Sequence, residues 1–319
     1  MRPVLISLVI TTYNRAGLLA GALKSVAASQ FDNHSNIEVI VVDNNSKDDT
    51  RQTVENICEE GFPFLLRYVL EPNQGLSYAR NRGIDESNAT YVAFMDDDQL
   101  LDSKFLCRLA PVFASTNAVC VGGPLYLNNR GAIPKWLPPW LYDVGELDIG
   151  GDVKVLDGSE NKKLIGGNMA FVREELVAIG KYDVNLGRSG GSLLNGEEVE
   201  LQDRLHAAGK KVVYHPDLVQ YHNFTLASRT KHYWRKFFFD HGRSQYRMRL
   251  VEYDTNVERA ILGAPRWLWR HLLTRDIPHA ARSFAGLHPA EIFEKQLDVW
   301  TTLGQIHEAR CQAREGKHG

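Results

Sequence analysis

Residues 4–15 read VLISLVITTYNR, and this stretch decides the fold class. Its first seven residues are apolar apart from one serine, which is typical of a strand buried on both faces of a sheet. The polar residues that follow predict a turn, and a helical pattern then runs from Leu18 to Ala28. Parallel strands need crossover connections of this kind. The stretch therefore predicts the first βα unit of an α/β domain.

The same alternation of strand and helix continues along the chain. Apolar runs predict strands at residues 37–42, 65–70 and 91–95, with helical patterns opening at residues 48–50 and covering residues 77–86. Strands that alternate with helices of about ten residues are typical of a parallel sheet with right-handed crossovers. We therefore predict an α/β fold with a mostly parallel sheet flanked by helices.

The second half of the chain is less regular. Short apolar segments occur at residues 119–121 and 164–165. A helical pattern covers residues 197–208, and residues 212–214 predict a strand. The segment around residues 136–140, WLPPW, lacks clear periodicity, as functional loops often do. The chain beyond about residue 225 is mainly helical. We therefore predict an α/β domain over residues 1–225 and a helical C-terminal extension over residues 226–319.

Composition and charge exclude several classes of protein. The 319 residues carry 37 basic and 39 acidic side chains, a net charge of -2, so nucleic acid is not an expected partner. The four cysteines show no CxxC spacing, which argues against a zinc or redox motif. The N-terminus lacks the pattern of a signal peptide, and no apolar run reaches the roughly 18 residues of a membrane span. We expect a cytoplasmic protein.

Three polar clusters follow predicted strands: TTYNR at residues 11–15, DNNS at residues 43–46 and DDD at residues 96–98. The carboxyl ends of strands are where open parallel sheets bind ligands. The second cluster can also be an ordinary turn, and the three acids can point outward into water. A divalent cation is the simpler way to relieve three neighbouring carboxylates, and oxygen ligands suit Mg²⁺ or Mn²⁺.

The Gly-rich phosphate-binding loops of other nucleotide-binding proteins are absent from the sequence. No GxGxxG follows the first strand and no GxxxxGK[ST] occurs, which disfavours Rossmann dehydrogenases and P-loop ATPases. A diphosphate bound without such loops needs a metal ion and basic side chains. Arg15 and Arg80 are the candidates for this compensation.

Five motifs occur in the order found in family 2 glycosyltransferases: VITTYNR (residues 9–15), VVDNNS (41–46), DDD (96–98), GGNMAF (166–171) and GEEVEL (196–201). The chain thus resembles the inverting members with the GT-A fold, a Rossmann-like sheet, over about residues 4–225. The resemblance implies a nucleotide-binding half over about residues 1–118 and an acceptor-binding half over about 119–225. It also implies a nucleotide-diphosphate sugar donor, UDP by default, and Mg²⁺ or Mn²⁺ as cofactor.

Donor-binding residues carry over from the family position by position. Thr11 and Tyr13 would contact the base, Asp43 the base or ribose, and Arg80 the diphosphate or base. Asn168 would read a sugar hydroxyl, although the Gly166–Asn168 stretch can equally serve close packing. The predicted donor site comprises Thr11, Tyr13, Asn14, Arg15, Asp43, Asn45, Arg80, Asp96, Asp97 and Asn168.

The resemblance implies that the three acids form a DxD-type motif. Asp98 would bind the metal, and Asp97 or Asp96 would contact ribose or donor sugar, although either adjacent pair can play these parts. If the strand stays extended, Asp96 and Asp98 face one side and Asp97 the other. His222 falls where some relatives carry a metal-binding histidine, but a single histidine is also common in surfaces and cores. The predicted metal ligands are Asp98, Asp96 and His222.

The catalytic base of the family is the second acid of a Glu-Asp pair at a helix start, and this chain has Glu197-Glu198. We predict Glu198 as the base and Glu197 as its catalytic neighbour. Acids at a helix N-terminus also complement the helix dipole without any catalytic role, and we expect the helix end to keep Glu198 ionised. One base and a single displacement predict inversion at the anomeric carbon.

Two further segments have open interpretations. Trp136 and Trp140 can stack on an acceptor sugar, or fill the core or a domain junction. Residues 231–270 mix arginines and lysines with large aromatic groups, which suits either contact with a membrane surface or an aromatic core with basic flanks. A lipid-linked acceptor would be found at the inner membrane face, where this protein would bind peripherally.

The sequence thus predicts a metal-dependent, inverting glycosyltransferase. It would move a sugar from a nucleotide-diphosphate sugar to a hydroxyl of a saccharide or lipid-linked acceptor in cell-surface polysaccharide or glycan biosynthesis. The alternative is a non-catalytic nucleotide-sugar-binding protein of the same fold. A sugar-phosphate nucleotidyltransferase is disfavoured, because it would carry a Gly-rich loop near the first strand.

Overall fold

The computed structural model describes residues 4–31, 36–129, 131–158, 162–223, 229–248, 260–282 and 288–315. These residues form two compact units. The first unit comprises Met1–Asn129, Gly145–Val184 and Glu197–Phe224, and the second comprises Arg130–Val144, Asn185–Gly196 and Thr225–Gly319.

An eight-stranded sheet forms the centre of the first unit, and its strand order is β3-β2-β1-β4-β9-β6-β10-β8. The pairs β1–β2, β2–β3, β1–β4 and β6–β10 are parallel, whereas β9 is antiparallel to both of its neighbours and β8 is antiparallel to β10. The eight strands are β1 (Ile6–Thr12), β2 (Ile37–Asp43), β3 (Leu65–Leu70), β4 (Tyr91–Asp96), β6 (Cys120–Gly122), β8 (Lys154–Leu156), β9 (Met169–Val172) and β10 (Val212–Tyr214).

A second, three-stranded sheet in the same unit has the order β5-β11-β7. Its strands are β5 (Gln99–Leu101), β7 (Leu125–Leu127) and β11 (Gln220–His222). The helices of the unit are α1 (Ala16–Ala27), α2 (Thr50–Gly61), α3 (Leu76–Glu86), α4 (Phe105–Thr116), α5 (Arg173–Ala178) and α6 (Glu197–Ala207).

Strand β1 is buried on both faces, as its sequence predicts. Ile6, Leu8 and Ile10 pack into one hydrophobic core, and Val9 points into the other. Burial on both faces is what removes the alternation of apolar and polar residues from a central parallel strand. The predicted α/β fold with a mostly parallel sheet is confirmed.

Several elements of the first unit were not predicted. Helix α4 is the largest of them, and it carries Pro111 in its interior. Its residues Leu106, Leu109, Val112 and Phe113 nevertheless have the spacing of one buried helix face. The short strands β5, β7 and β11 are three residues each, too short for a clear period-two pattern.

The second unit contains α7 (Lys231–Arg247), α8 (Arg266–His271), α9 (Ile277–Arg282) and α10 (Pro289–Glu315), with the hairpin of β12 (Ala260–Ile261) and β13 (Ala264–Pro265). A π-helical turn, Leu272–Asp276, joins α8 to α9. The backbones of α7 and α10 approach closely at two glycines. A Cβ atom at Gly242 would lie 1.9 Å from the Thr301 carbonyl oxygen, and one at Gly304 would lie 1.9 Å from that of Phe239.

The division of the chain at about residue 225 stays a prediction, since residues 224–228 lie outside those described. Two segments from the predicted acceptor-binding half, residues 130–144 and 185–196, cluster with the C-terminal helices. Among the helices that the structure describes, none has both the length and the apolar character that a membrane span requires.

Candidate active site

The three polar clusters meet at the carboxyl edge of the sheet, where strand order reverses around β1. In the parallel register Thr12 lies beside Asp43, and Thr11 lies beside Asp96. Ligand sites of open α/β sheets form at such a switch point. The fold therefore brings together residues that are as much as 85 positions apart in sequence.

The loops after β1 and β2 hold each other through polar contacts. The Asn14 amide donates to Ser46 Oγ at 2.8 Å, and the Lys47 amide donates to Asn14 Oδ1 at 2.6 Å. Asp43 is 3% exposed and accepts hydrogen bonds from the Ser46 amide at 2.8 Å and the Tyr68 hydroxyl at 2.7 Å. Asp43 thus has a structural use as a turn-forming acid, and its contact with base or ribose stays a prediction.

Three more of the predicted donor residues lie in these loops or next to them. Thr11 is buried, whereas the Tyr13 side chain is 37% exposed at the edge of the loop. Asn14 and Asn45 both have positive φ angles, 52° and 65°, in the left-handed region that asparagine tolerates better than most residues. Tyr13 and Asn14 are both exposed at this edge, and the contact of Tyr13 with a base stays a prediction.

The three acids after β4 contact three different sets of partners. Strand β4 ends at Asp96 and the chain turns at the next two residues, so the condition of an extended strand, under which Asp96 and Asp98 would face one side, is not met. Asp97 accepts from Thr12 Oγ1 at 2.8 Å and from Arg15 Nη1 at 3.0 Å. Asp98 accepts from the same Arg15 nitrogen at 3.0 Å. Asp97 and Asp98 thus share one Arg15 nitrogen.

Arg15 supplies part of the positive charge that the acidic cluster needs. Burial raises the pKa of Asp97 to about 6, opposed by Arg15 and reinforced by the neighbouring Asp98. Asp97 is only 4% exposed and bonded on both oxygens, so it braces the β1 loop. Asp98 keeps its other oxygen for His222, whose Nε2 lies 3.4 Å from Asp98 Oδ1.

His222 is oriented by a backbone carbonyl. Its Nδ1 lies 3.1 Å from the Gly145 oxygen, which can only accept a hydrogen bond, so Nδ1 carries a proton. In a neutral ring Nε2 then presents a lone pair to the Asp98 carboxylate. Burial alone would lower the pKa of His222, but the Asp98 carboxylate raises it. This contact is favourable either when His222 Nε2 carries a second proton or when a cation binds between Nε2 and the Asp98 carboxylate.

Arg80 is a buried cation that joins two acids from distant parts of the chain. Its Nη2 lies 3.3 Å from Asp96 Oδ1, and its Nη1 lies 2.8 Å from Glu197 Oε1. The arginine is only 2% exposed, so its charge is compensated by these two carboxylates rather than by water. Arg80 thereby links the end of β4 to the start of α6.

The backbone of Gly166 and Gly167 packs directly against this ion pair. A Cβ atom at Gly166 would lie 2.9 Å from Arg80 Nη1, and one at Gly167 would lie 2.6 Å from Asp96 Oδ2. Asn168 donates its amide hydrogens to the carbonyl oxygens of residues 123, 124 and 218, and it is 1% exposed. These contacts support the close-packing interpretation of this turn. The contact of Asn168 with a sugar stays a prediction.

Glu198 follows Glu197 in the first turn of α6, and its Oε2 is buried with no hydrogen-bond partner among the described residues. Burial, together with the Glu197 carboxylate, raises the pKa of Glu198 well above its usual range, although Arg80 opposes the rise. The expectation that the helix end keeps Glu198 ionised stays a prediction, and burial opposes it. Such a carboxylate is a stronger base once it loses its proton.

Two side chains of this region were missed in the sequence. The ring of Tyr182 lies under the Arg80 guanidinium at 5.3 Å, and its hydroxyl is buried without a partner among the described residues. Gln99, 1% exposed, accepts a hydrogen bond from the Asp96 amide at 3.1 Å. No local pattern marks either residue, since each is defined only by contacts across the fold.

Trp136 and Trp140 belong to the second compact unit. The Trp136 ring packs edge-to-face on Phe293 at 5.1 Å, and Trp140 packs on Phe238 at 5.6 Å while remaining 52% exposed. Trp136 thus fits the core interpretation. The acceptor role of both tryptophans stays a prediction.

Known structures share this architecture. The protein is similar to the mannosyltransferase PcManGT from Pyrobaculum calidifontis, solved with GDP-Man and Mn²⁺, with a TM-score of 0.59 at 19% identity over 99% of this chain and 88% of that one. It is also similar to S. aureus TarS 1-349 in complex with UDP-GlcNAc, with a TM-score of 0.56 at 15% identity over 99% and 92% of the two chains. The fold is the GT-A fold.

Sequence comparison defines the family. The family model described as "Glycosyl transferase family 2" matches residues 7–176, more than half of the chain. This protein belongs to glycosyltransferase family 2. It is 29% identical to the succinoglycan biosynthesis protein ExoM from Rhizobium meliloti over 65% of this chain. It is 36% identical over 41% of this chain to a GalNAc(5)-diNAcBac-PP-undecaprenol beta-1,3-glucosyltransferase from Campylobacter jejuni. These matches span 63% and 41% of the two relatives, less than two thirds of their length.

The family implies a divalent cation, and the residues present fit one. Asp98 offers a carboxylate oxygen and His222 an imidazole nitrogen whose proton is fixed on the opposite side of the ring. Across the described parts of the chain, no group of three or more His, Cys, Asp or Glu side chains could hold a metal by itself. Mg²⁺ often takes one or two protein ligands and completes its shell with substrate phosphates. The donor set suits that mode of binding.

Proposed function

We propose that this protein is an inverting glycosyltransferase that uses a nucleotide-diphosphate sugar. The observation that carries the proposal is the single buried guanidinium of Arg80, which ties the acids at the end of β4 to the start of the helix that bears Glu198. A donor-binding edge and a candidate base are thereby joined in one charged network. This arrangement supports a direct displacement between donor and acceptor.

The chemistry follows from the groups in place. Glu198 accepts the proton of an acceptor hydroxyl, whose oxygen forms a bond to the anomeric carbon while the bond from that carbon to the diphosphate oxygen breaks. The electron pair of the broken bond leaves on the nucleoside diphosphate. Arg15 lies at this edge and offsets negative charge. A single displacement of this kind inverts the anomeric configuration.

A divalent cation belongs to the proposal. Asp98 and His222 would hold Mg²⁺ or Mn²⁺, with Asp96 as a further candidate ligand. When bound, the ion supplies Lewis-acid stabilisation for negative charge on the diphosphate. Asp97 is committed to Thr12 and Arg15, which favours Asp98 over Asp97 as the metal ligand.

Donor and acceptor are proposed from the chemistry of similar proteins. The two similar GT-A structures named above are complexes with GDP-Man and UDP-GlcNAc, which supports a nucleotide-diphosphate sugar as donor. We propose UDP as the nucleotide of that donor. One relative is named for succinoglycan biosynthesis and another for a lipid-linked acceptor. We therefore propose a saccharide or lipid-linked acceptor hydroxyl, in polysaccharide or glycan biosynthesis, at the cytoplasmic side of a membrane.

A thermal-shift panel tests the donor and the metal together. UDP, GDP and dTDP are each added with and without Mn²⁺, and the nucleotide that raises the melting temperature only alongside the metal identifies the donor class. We expect UDP with Mn²⁺ to give the largest shift. No shift with any nucleotide, with or without metal, would contradict the proposal.

One observation favours a second candidate function, a non-catalytic nucleotide-sugar-binding protein. The raised pKa of Glu198 keeps this carboxyl protonated over part of the neutral range, and a protonated carboxyl is no base. Glu198→Gln separates the two functions. An enzyme loses most of its donor turnover and still binds the nucleotide, whereas a binding protein shows no turnover before or after the substitution.

A further inference from the structure

The C-terminal unit carries its most exposed apolar side chains on one segment, residues 260–282. Leu262 is 72% exposed and Leu273 is 61% exposed, the two highest values for large hydrophobic residues in the described part of the chain. Ile261 and Ile277 are 45% and 44% exposed. Four such residues within 17 positions are a concentration that a water-facing surface does not favour.

The hairpin of β12 and β13 carries Ile261 and Leu262. Leu262 occupies its turn with a φ angle of 51°, a conformation in which a non-glycine residue is uncommon. The most exposed apolar side chain thus lies at the tip of a two-stranded projection. Leu273 and Ile277 lie four residues apart, near the junction of the π-helical turn and α9.

Positive charge surrounds these side chains. Residues 260–282 contain four arginines and one aspartate, and three of those arginines, Arg266, Arg270 and Arg275, are exposed. The aspartate, Asp276, is 4% exposed and accepts a hydrogen bond from Thr302 Oγ1 at 2.6 Å. On helix α10, the exposed Asp298 interacts electrostatically with Lys295 and Arg275, and also with the acids Asp276 and Glu294. The exposed charge of the segment itself is uniformly positive.

An open apolar groove of about 420 Å³ begins beside Ile277. Its other walls include Ala280, Val299, Trp300 and Leu303, and Arg235 lies at its border. Arg235 is anchored by a 2.9 Å hydrogen bond to Gln296. The groove is lined mainly by apolar side chains, which suits contact with hydrocarbon.

We propose that residues 260–282 form a docking surface for an anionic lipid bilayer. Leu262 and Leu273 enter the boundary between headgroups and acyl chains, and the exposed arginines pair with lipid phosphates. A second copy of this chain fits poorly, because a symmetric contact would set the same arginines against each other. The surface is independent of the proposed transfer reaction.

This location refines the membrane contact expected over residues 231–270. Helix α7 places its aromatic side chains against other parts of the second unit: Trp234 is 1% exposed and Phe239 packs on Trp300 at 6.4 Å. Residues 249–259 lie outside the described part of the chain. Residues 260–282 carry the two most exposed large apolar side chains of the described chain, Leu262 and Leu273, together with three exposed arginines.

Sedimentation with vesicles tests the proposal on the full chain. The probes are vesicles of phosphatidylcholine alone and of phosphatidylcholine mixed with phosphatidylglycerol. We expect binding to the mixed vesicles, reduced roughly tenfold by Leu262→Asp and again by Leu273→Asp, and weakened by salt. Arg270→Glu should reduce it by roughly five-fold.

Leu65→Asp is the matched control, because Leu65 is 57% exposed on β3 in the other unit. It should leave vesicle binding unchanged, and melting temperatures should show that every variant is folded. The proposal is overturned if the wild-type protein ignores the mixed vesicles, or if Leu65→Asp lowers binding as much as Leu273→Asp. A concentration-dependent dimer abolished by Leu273→Asp would also overturn it. Nucleotide binding by the same variants reports separately on the proposed function.

Discussion

Glu197→Gln is the perturbation that tests the proposed base most directly. Glu197 precedes Glu198 in the first turn of α6, and its Oε1 lies 2.8 Å from Arg80 Nη1. Glutamine has nearly the same shape and keeps an oxygen that accepts from Arg80, but it carries no charge. Because the Glu197 carboxylate raises the pKa of Glu198, its neutralisation should lower that pKa.

The size of the effect follows from the separation of neighbouring carboxylates. Two charges 4–6 Å apart interact by about 3–4 kcal/mol at an effective dielectric constant of 20. Arg80 compensates part of the Glu197 charge, so we expect a net fall of about 1–2 pKa units, equivalent to about 1.4–2.7 kcal/mol.

The measurement is the pH dependence of kcat/KM for release of nucleoside diphosphate from a UDP-sugar. The base works only when ionised, so activity rises with pH through the pKa of Glu198. In the wild-type protein, kcat/KM should rise at a pH above the usual pKa range of glutamate. In Glu197→Gln this rise in kcat/KM should move to lower pH. Glu200→Gln is the matched control, because Glu200 lies on the same helix and pairs with Arg204 at 2.6 Å.

Arg80→Gln completes the test with an effect of opposite sign. Loss of the cation removes the group that opposes the rise, so the active limb should move to higher pH. The reasoning is refuted if Glu197→Gln and Arg80→Gln move the limb in the same direction. It is also refuted if Glu200→Gln reproduces the shift of Glu197→Gln.

Three further predictions concern stability and metal binding. Glu198 has a folded-state pKa above its unfolded value, so the stability of the protein falls as the pH rises between these two values. Glu198→Gln should therefore be more stable than wild type at alkaline pH, by about 1.4 kcal/mol per unit of pKa difference. Urea titrations check this, and they should show a smaller stability difference at low pH. Asp98→Asn should lower the affinity for Mn²⁺ at least about tenfold, measured as the Mn²⁺ concentration needed for the thermal shift with UDP. An unchanged Mn²⁺ titration would contradict the assignment. Gly167→Ala should destabilise the protein by about 1–3 kcal/mol, because its Cβ would lie 2.6 Å from Asp96 Oδ2. In Gly21→Ala the new Cβ meets no atom within 4 Å, so this variant should stabilise the protein by up to about 1 kcal/mol. Chemical denaturation measures both effects.

The sequence predicts the strands that are long enough to form a recognisable run of apolar residues. Strand β3 was predicted with its observed bounds, Leu65–Leu70, and β1 differs from its prediction by two residues at each end. Strand β1 is buried throughout, whereas β3 was recognised from its apolar run although Leu65 and Leu70 are exposed. Helix α4 was missed because Pro111 interrupts its sequence, although the helix continues through it.

In the candidate site, the positions of some residues could be predicted from the sequence, but their contacts could not. The positions of Asp43 and Asp96 at strand ends could be predicted, since parallel strands share one carboxyl edge. The partners of Arg80 could not, because Glu197 lies 117 positions away and the pairing depends on how α3 and α6 pack. The sequence also showed no sign that Glu198 would be desolvated, since burial of one carboxylate is a property of the assembled fold.

The shared guanidinium of Arg80 has a consequence for mutational screens. Removing a buried cation leaves two acids without compensation, which typically costs about 3–5 kcal/mol, a large share of the stability of a whole domain. Alleles that replace Arg80 should therefore be depleted in a library sorted for protein abundance before any catalytic selection is applied, while a folded fraction, such as that of Arg80→Gln, stays measurable. Alleles altered at Tyr13, at the open edge of the loop, should survive the abundance sort and be lost only under selection for turnover.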